Sequence, residues 1–408
     1  MNKYKVCVYG ICKNEEKFVK RWYESMKEAD AIFVLDTGST DNTVKLLKEF
    51  GVNVRTSKIE PWRFDVARNK SLDLIPDDYD ICVCTDLDEV FEKGWRKYLE
   101  DSWVGSTSRA RYNYNWSLDD NNRPLVNFYT DKIHQRKNYK WTHPVHEVLT
   151  FLGDKENIIT IDNIVLNHYS DKSKSRGSYL PLLELSVKED PNDDRNMHYL
   201  GREYMYYGKW NECIDTLIKH LNLKSSTWKD ERCASMRFIA RSYKKLGRVE
   251  ESRMWYDKAI NEAPYLRDSY VERGILEYEL DNYKEASKYL NDALNINSHE
   301  KTYINEIFSW DNTIYDMLSI CMFYLNRIDE SLFYIDKAID MEPNNERLIN
   351  NKKIIKRFGI TSAIVNHVKK LACKKYKHRK TAKNAIIIPT FFNISPLFIL
   401  LLKLFLVW

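Results

Sequence analysis

ICVCTDLDEVF, residues 81–91, joins an unbroken apolar run to a cluster of carboxylates. The run fits a strand buried on both faces, as in a parallel sheet. Asp86 and Asp88 follow at its carboxyl end, the edge of an open α/β sheet at which ligands bind. In an extended chain the two side chains point the same way and can share one hard cation through their oxygens. A DxD triplet taken alone is common, and a solvated strand end or turn explains it better, so its surroundings carry the argument.

Toward the amino terminus those surroundings alternate. Tyr4 to Cys12 is apolar and β-branched, and KNEEKFVKRWYESMKEA after it has the three-to-four-residue periodicity of an amphipathic helix. AIFVLD predicts a second buried strand, GSTDNT supplies glycine and helix caps, and VKLLKEF predicts a second helix. Val52 to Arg55 reads as a third strand, and a helix is expected to begin near Phe64. This alternation predicts an α/β domain with a Rossmann-like, mostly parallel sheet. Beyond Asp101 the chain turns aromatic and strand-like through RARYNYNW, KIHQRKNYKWTH and NIVLNHY, a stretch suited to cover a site beside the sheet.

From about Asp190 the pattern is helical and it repeats. Gly201, Ala240, Gly274 and Ser319 are each followed nineteen residues later by His220, Ala259, Ala293 and Ala338, and Pro264 and Pro343 stand five residues beyond Ala259 and Ala338. Spacings of 39, 34 and 45 residues scatter around the 34-residue period of TPR hairpins, in which small residues let paired helices approach closely. The expected division is an α/β domain over 1–170, a linker over 171–190, an all-α TPR-like solenoid over 191–350, and a basic segment with an apolar tail over 351–408.

Composition narrows the function classes. At 408 residues the chain needs two or three domains, and its high aromatic content with few glycines and prolines marks it as ordered. All 59 acidic residues and 50 of the 64 basic ones stand at or before Glu346, so the body carries −9 and the tail +14. An acidic body argues against nucleic acid as partner. The eight cysteines form no CxxC pair or zinc-ligand spacing, which fits a reducing cytosol and a cytoplasmic location. No GxxxxGK[ST] run is present, so phosphate cradling by a P-loop is excluded.

KNEE, VLDTGSTDNT, PWRFDVARN and CTDLDE, in that order and on alternating strand ends, resemble glycosyltransferase family 2 over about residues 1–170. With the repeats, HQRKNYKWTHPVHE and VLNHYSD resemble the bacterial branch that includes peptide S-glycosyltransferases. The resemblance implies a GT-A fold, a nucleotide-sugar donor such as a UDP-hexose or UDP-N-acetylhexosamine, and Mn2+ or Mg2+ to compensate the departing diphosphate. Carried over residue by residue, Asp36 resembles the carboxylate at the base or ribose, against a turn or cap role. Asp65 and Arg68 resemble the pair near uracil and phosphate, against an ion pair with each other. Glu15 follows the first strand, where the nucleotide lies, or simply favours a helix dipole. Trp62 reads as a packing residue before a stacking one. Asp88 resembles the direct metal ligand, with Asp86 as second ligand or ribose partner, and His168 is the late histidine that GT-A folds often add. Inversion needs a base for the acceptor's proton, and WTHPVHEV offers Glu147 and His146, with His143 beside them.

The implied reaction moves a sugar to a peptide, protein or cell-envelope saccharide acceptor. The competing reading is a non-catalytic TPR adaptor that keeps a sugar-nucleotide fold; carboxylates at strand ends favour the enzyme. The last 24 residues, AIIIPTFFNISPLFILLLKLFLVW, would span roughly 36 Å as a helix beside a cationic segment, so attachment to an anionic cytoplasmic membrane face is expected.

Overall fold

A computed structural model describes residues 3–171, 177 and 179–360. The tail expected to meet a membrane lies outside these residues from 361 onward. Among the described residues no helix is long and apolar enough to cross a membrane.

The amino-terminal half alternates as its hydrophobic periods require. In order come β1 (Val6–Cys12), α1 (Glu16–Met26), β2 (Ala31–Asp36), α2 (Thr43–Glu49), β3 (Asn53–Thr56), α3 (Phe64–Leu72) and β4 (Ile81–Cys84). Then follow β5 (Glu89–Phe91), α4 (Trp95–Ser102), β6 (Arg109–Leu118), β7 (Pro124–Gln135), β8 (Tyr139–Thr142), β9 (Val148–Phe151) and β10 (Ile158–His168). One eight-stranded sheet has the order β3-β2-β1-β4-β7-β6-β10-β5. Its first four strands are parallel, as are β6 and β10, while β7 and β5 run against their neighbours. This is the mostly parallel, GT-A-like sheet that the sequence predicts. Of the aromatic strands after Asp101, β6, β7 and β10 extend the sheet itself, while β8 pairs with β9 in a separate two-stranded sheet.

The end of β4 is pinned from two sides. Trp22 of α1, fully buried, donates its indole N–H to Thr85 Oγ1 at 3.0 Å, and the Thr85 N–H donates to the Tyr9 carbonyl at 3.1 Å. Gly10 is required beside it, because a Cβ there would lie 2.5 Å from the Thr85 carbonyl oxygen. The residues that follow Thr85 therefore leave the sheet from a fixed point.

The helical half comprises α5 (Tyr179–Glu189), α6 (Asp194–Tyr206), α7 (Trp210–Asn222), α8 (Lys229–Lys245), α9 (Val249–Glu262), α10 (Arg267–Glu279), α11 (Tyr283–Leu294), α12 (Thr313–Tyr324) and α13 (Ile328–Met341). Within the segment expected to be a linker over 171–190, Tyr179–Glu189 form helix α5. Ala240, Ser319, His220, Ala259, Ala293 and Ala338 are all fully buried, at the positions where paired helices meet. At Gly201 an added Cβ would stand 2.3 Å from Leu217 of the partner helix, so glycine is what allows that approach.

Residues 1–348 pack as one unit, and in the second, 349–408, the described residues are helical through 360. Within the first unit the α/β part and the repeats share a core of Val145, Leu180, Leu183, Tyr199 and Leu200, joined by Trp62 and Phe64. Trp62 is accordingly a packing residue, edge-on to Phe64 with centroids 5.0 Å apart.

Candidate active site

After β4 the chain turns at Leu87 and Asp88, where the Glu89 N–H closes onto the Asp86 carbonyl at 3.1 Å. That overturns the expectation that Asp86 and Asp88 point the same way, because the two-residue period of a strand no longer applies. They reach different partners. The Asp86 carboxylate accepts from Arg68 NH2 at 2.6 Å, with Lys132 Nζ 3.8 Å from its other oxygen. Asp88 faces His168, carboxylate to Nε2, at 3.5 Å.

His168 comes from the end of β10, and its Nδ1 lies 2.9 Å from the Trp116 carbonyl. A carbonyl can only accept, so Nδ1 carries a proton and Nε2 is the ring atom left to face Asp88; burial works against a charged imidazole, but Asp88 outweighs it and raises the His168 pKa. A backbone carbonyl behind an imidazole is the usual outer partner of a metal-bound histidine. The indole of Trp116 stacks on the same ring, centroids 4.8 Å apart, and holds its plane. The charges fit a divalent ion as well. Three carboxylates, from Asp86, Glu89 and Glu147, surround the two cations Arg68 and Lys132, and a fourth, Asp88, stands against His168. A diphosphate entering this cleft would meet net negative charge unless a cation came with it.

Arg68 organises the other side. Delivered by α3 and 3% exposed, it donates Nε to Glu147 at 2.8 Å as well as NH2 to Asp86, with the Trp141 ring 5.6 Å from its guanidinium carbon. Burial works against its charge, but Asp86 and Glu147 outweigh that and keep it protonated. Burial likewise would raise the Asp86 carboxyl, yet Arg68 and Lys132 hold it well below the usual carboxylate range. Asp65 does not form the ion pair with Arg68 that stood as the alternative to a place near the nucleotide. It takes a two-pronged contact from Arg63, at 3.0 and 2.9 Å, and Arg63 also meets Glu189 of α5.

The remaining candidates occupy structural positions. The Asp36 carboxylate accepts the N–H groups of Gly38 and Ser39 at 3.2 and 3.1 Å and so shapes the GSTDNT turn. Glu15 is 8% exposed, with its N–H on Thr43 Oγ1 at 2.7 Å, which ties the first strand's loop to the same turn. His146 stacks on Tyr199 of the first repeat, centroids 4.1 Å apart, and its carbonyl accepts from Arg195. His143 pairs with Asp193 at 3.3 Å. WTHPVHEV therefore buckles the α/β domain to the helices: its histidines face the repeats, and Glu147 turns back to Arg68.

Sequence reasoning missed Glu89 and Lys132. Glu89, 1% exposed, accepts from the Tyr114 hydroxyl at 2.8 Å and from the Asp86 N–H at 2.9 Å, while Lys132 reaches it from β7 at 3.4 Å. The signal for Glu89 lay in its place directly after DLD. Lys132, from a strand paired antiparallel to β4, had none.

Two family models match parts of the chain. Residues 7–152 match the family model for glycosyl transferase family 2, and residues 238–265 and 268–300 match that for the tetratricopeptide repeat. The glycosyltransferase SunS of Bacillus subtilis (strain 168), derived from the SPbeta prophage, is 27% identical over 230 residues, 52% of this chain and 52% of SunS. The lipopolysaccharide core biosynthesis glycosyltransferase LpsC of Rhizobium meliloti is 32% identical over 99 residues, 24% of this chain and 36% of LpsC. The chain thus spans about half the length of SunS. Among solved structures, MamA aligns with a TM-score of 0.35 and 17% identity, over 44% of this chain and 99% of that one.

Proposed function

We propose that this chain, a family 2 glycosyltransferase domain followed by TPR repeats, moves a hexose or N-acetylhexosamine from a UDP-sugar to an acceptor presented beside the repeats. The convergence of Asp88 and His168 at the end of the central parallel strand carries this reading. Those two residues would hold a divalent cation, Mn2+ or Mg2+, with Asp86 beside them. The cation supplies Lewis-acid compensation of the diphosphate as it departs.

The protein's own groups do the rest. Arg68 and Lys132 place positive charge around the Asp86 carboxylate and orient it toward the ribose or the ion. Glu147 holds Arg68 in place rather than taking the acceptor's proton, since its near oxygen already accepts from the guanidinium. Asp36, Glu15 and Asp65 shape the floor on which the nucleotide lies. In the transfer the acceptor's nucleophilic atom gives up its proton to solvent and bonds to the anomeric carbon, the bond to the UDP oxygen breaks, and UDP leaves with the electron pair. Peptides suit the repeats, because stacked hairpins form extended concave surfaces.

The test is UDP-sugar turnover with and without Mn2+ in the wild type and in Asp88→Ala. Removing a metal-holding carboxylate forfeits several kcal/mol of transition-state stabilisation, on the order of a thousandfold in rate. Undiminished turnover by Asp88→Ala in EDTA would overturn the proposal.

A further inference from the structure

We propose that His198, His220 and Glu231 form a structural site for one divalent transition cation of the zinc class, stapling α6, α7 and α8 at the start of the repeat array. The observation behind this begins in the repeat pattern. His220 stands at the position that Ala259, Ala293 and Ala338 occupy in the later hairpins, where helices meet most closely. A bulky polar ring in an alanine's place needs a partner.

Its surroundings are closed and polar. His198 and His220 are both 0% exposed and Glu231 is 4% exposed. One ring nitrogen of each histidine and one Glu231 oxygen lie within 4.8 Å of one another. His220 Nε2 is 3.3 Å from Glu231 Oε1 and 3.0 Å from Ser226 Oγ. Ser235 Oγ sits 2.7 Å from His198 Nδ1 and 3.0 Å from His220 Nδ1. Tyr303 donates its hydroxyl to the other Glu231 oxygen at 2.5 Å.

Counting protons shows what is missing. The Ser235 hydroxyl has one proton and two lone pairs, so at least one imidazole must donate to it from Nδ1. Whichever arrangement is chosen, His198 Nε2 remains buried and has no hydrogen-bond partner among the described residues. A divalent cation resolves this. Both rings then donate Nδ1–H to Ser235 and turn Nε2 lone pairs to the ion, while Tyr303 fixes the carboxylate that completes the set. Hydroxyl and phenol behind the ligands are the outer partners that orient metal-bound imidazole and carboxylate. Two imidazoles with one carboxylate suit zinc, a water would complete the tetrahedron in the fourth position, and burial of all three ligands denies a substrate access, which makes the site structural. Drawing the donors to tetrahedral spacing asks for side-chain movement of about an ångström.

The site is separate from the cation held by Asp88, and the test keeps them apart. The full chain is stripped with chelator, reloaded with zinc or cobalt, desalted, and assayed for bound metal, for cobalt's visible absorption and for melting temperature. In Asp88→Ala, one zinc per chain, a tetrahedral cobalt spectrum and a higher melting temperature on loading are expected. Added to Asp88→Ala, His220→Ala, which installs the residue of the later repeats, should abolish zinc retention and the metal-dependent rise. His198→Gln should do the same. Failure of Asp88→Ala to retain zinc or give a tetrahedral cobalt spectrum would overturn the proposal, as would equal retention by a folded His220→Ala or His198→Gln in that background.

Discussion

Replacing Arg68 by methionine tests whether one buried guanidinium holds the cleft together. The substitution keeps most of the apolar volume and removes the charge that Asp86 and Glu147 share. Removing one member of a buried pair typically costs about 3–5 kcal/mol, because the other is left uncompensated. The Glu147 side chain is 12% exposed and bears the full penalty, whereas Asp86 is 37% exposed and is partly screened by water. The lower end, about 3 kcal/mol, is therefore expected. For a cooperative unit of about 350 residues, at about 2.1 cal/mol/K of unfolding entropy per residue, that lowers the melting temperature by roughly 4 °C. The sign with pH follows from Asp86, whose folded pKa is depressed. Its pairing is fully stabilising above the unfolded value of about 3.9 and is lost as pH falls through the lower folded value. The gap between wild type and variant should thus be complete at pH 7 and narrow only below about pH 4. Thermal melts across this range measure it, and Glu147→Gln in the Arg68→Met background should recover part of the loss. A melting temperature within about 1 °C of wild type at pH 7 would refute the reasoning.

Gly10→Ala drives a Cβ against the Thr85 carbonyl, at 2.5 Å, and should cost about 1–3 kcal/mol in urea melts while weakening UDP binding, since Asp86 follows Thr85 directly; an unchanged urea midpoint would count against it. His134 is fully buried between Tyr9 and the Gln135 carbonyl, and burial lowers its pKa to about 3. The unfolded chain then binds a proton that the folded one refuses, so stability should fall by about 1.4 kcal/mol per pH unit from about pH 6.5 down to about 3. His134→Phe should flatten that slope, and an unaltered slope would exclude His134 as its source. Because Val145, Leu183 and Tyr199 form one core across the α/β part and the repeats, calorimetry should show the two melting together, and two well-separated transitions would contradict this.

Properties that depend on local pattern were legible from the residues alone. Strand and helix periods placed β1 through β4 and their helices, because burial on one face or two is written into neighbouring side chains. The ladder from Gly201 to Ala338 announced helix pairs, since close packing tolerates only small side chains at the crossing. The order of KNEE, DTGSTDNT, FDVARN and DLD carried the family resemblance. What the tertiary structure decided is who meets whom. Asp86 and Asp88 take different nearest partners because the chain turns at Leu87 and Asp88, and those partners, Arg68 and His168, arrive on other elements. Arg68 ties to Glu147 across 79 residues, and Lys132 enters the site only because β7 runs antiparallel to β4. The extra residues of the 45-residue spacing form a loop that sends Lys301 to Asn113 and Tyr303 to Glu231. Spacing along a strand or helix sets which face a side chain occupies, but contacts between distant segments depend on how the whole sheet and the repeats close against each other.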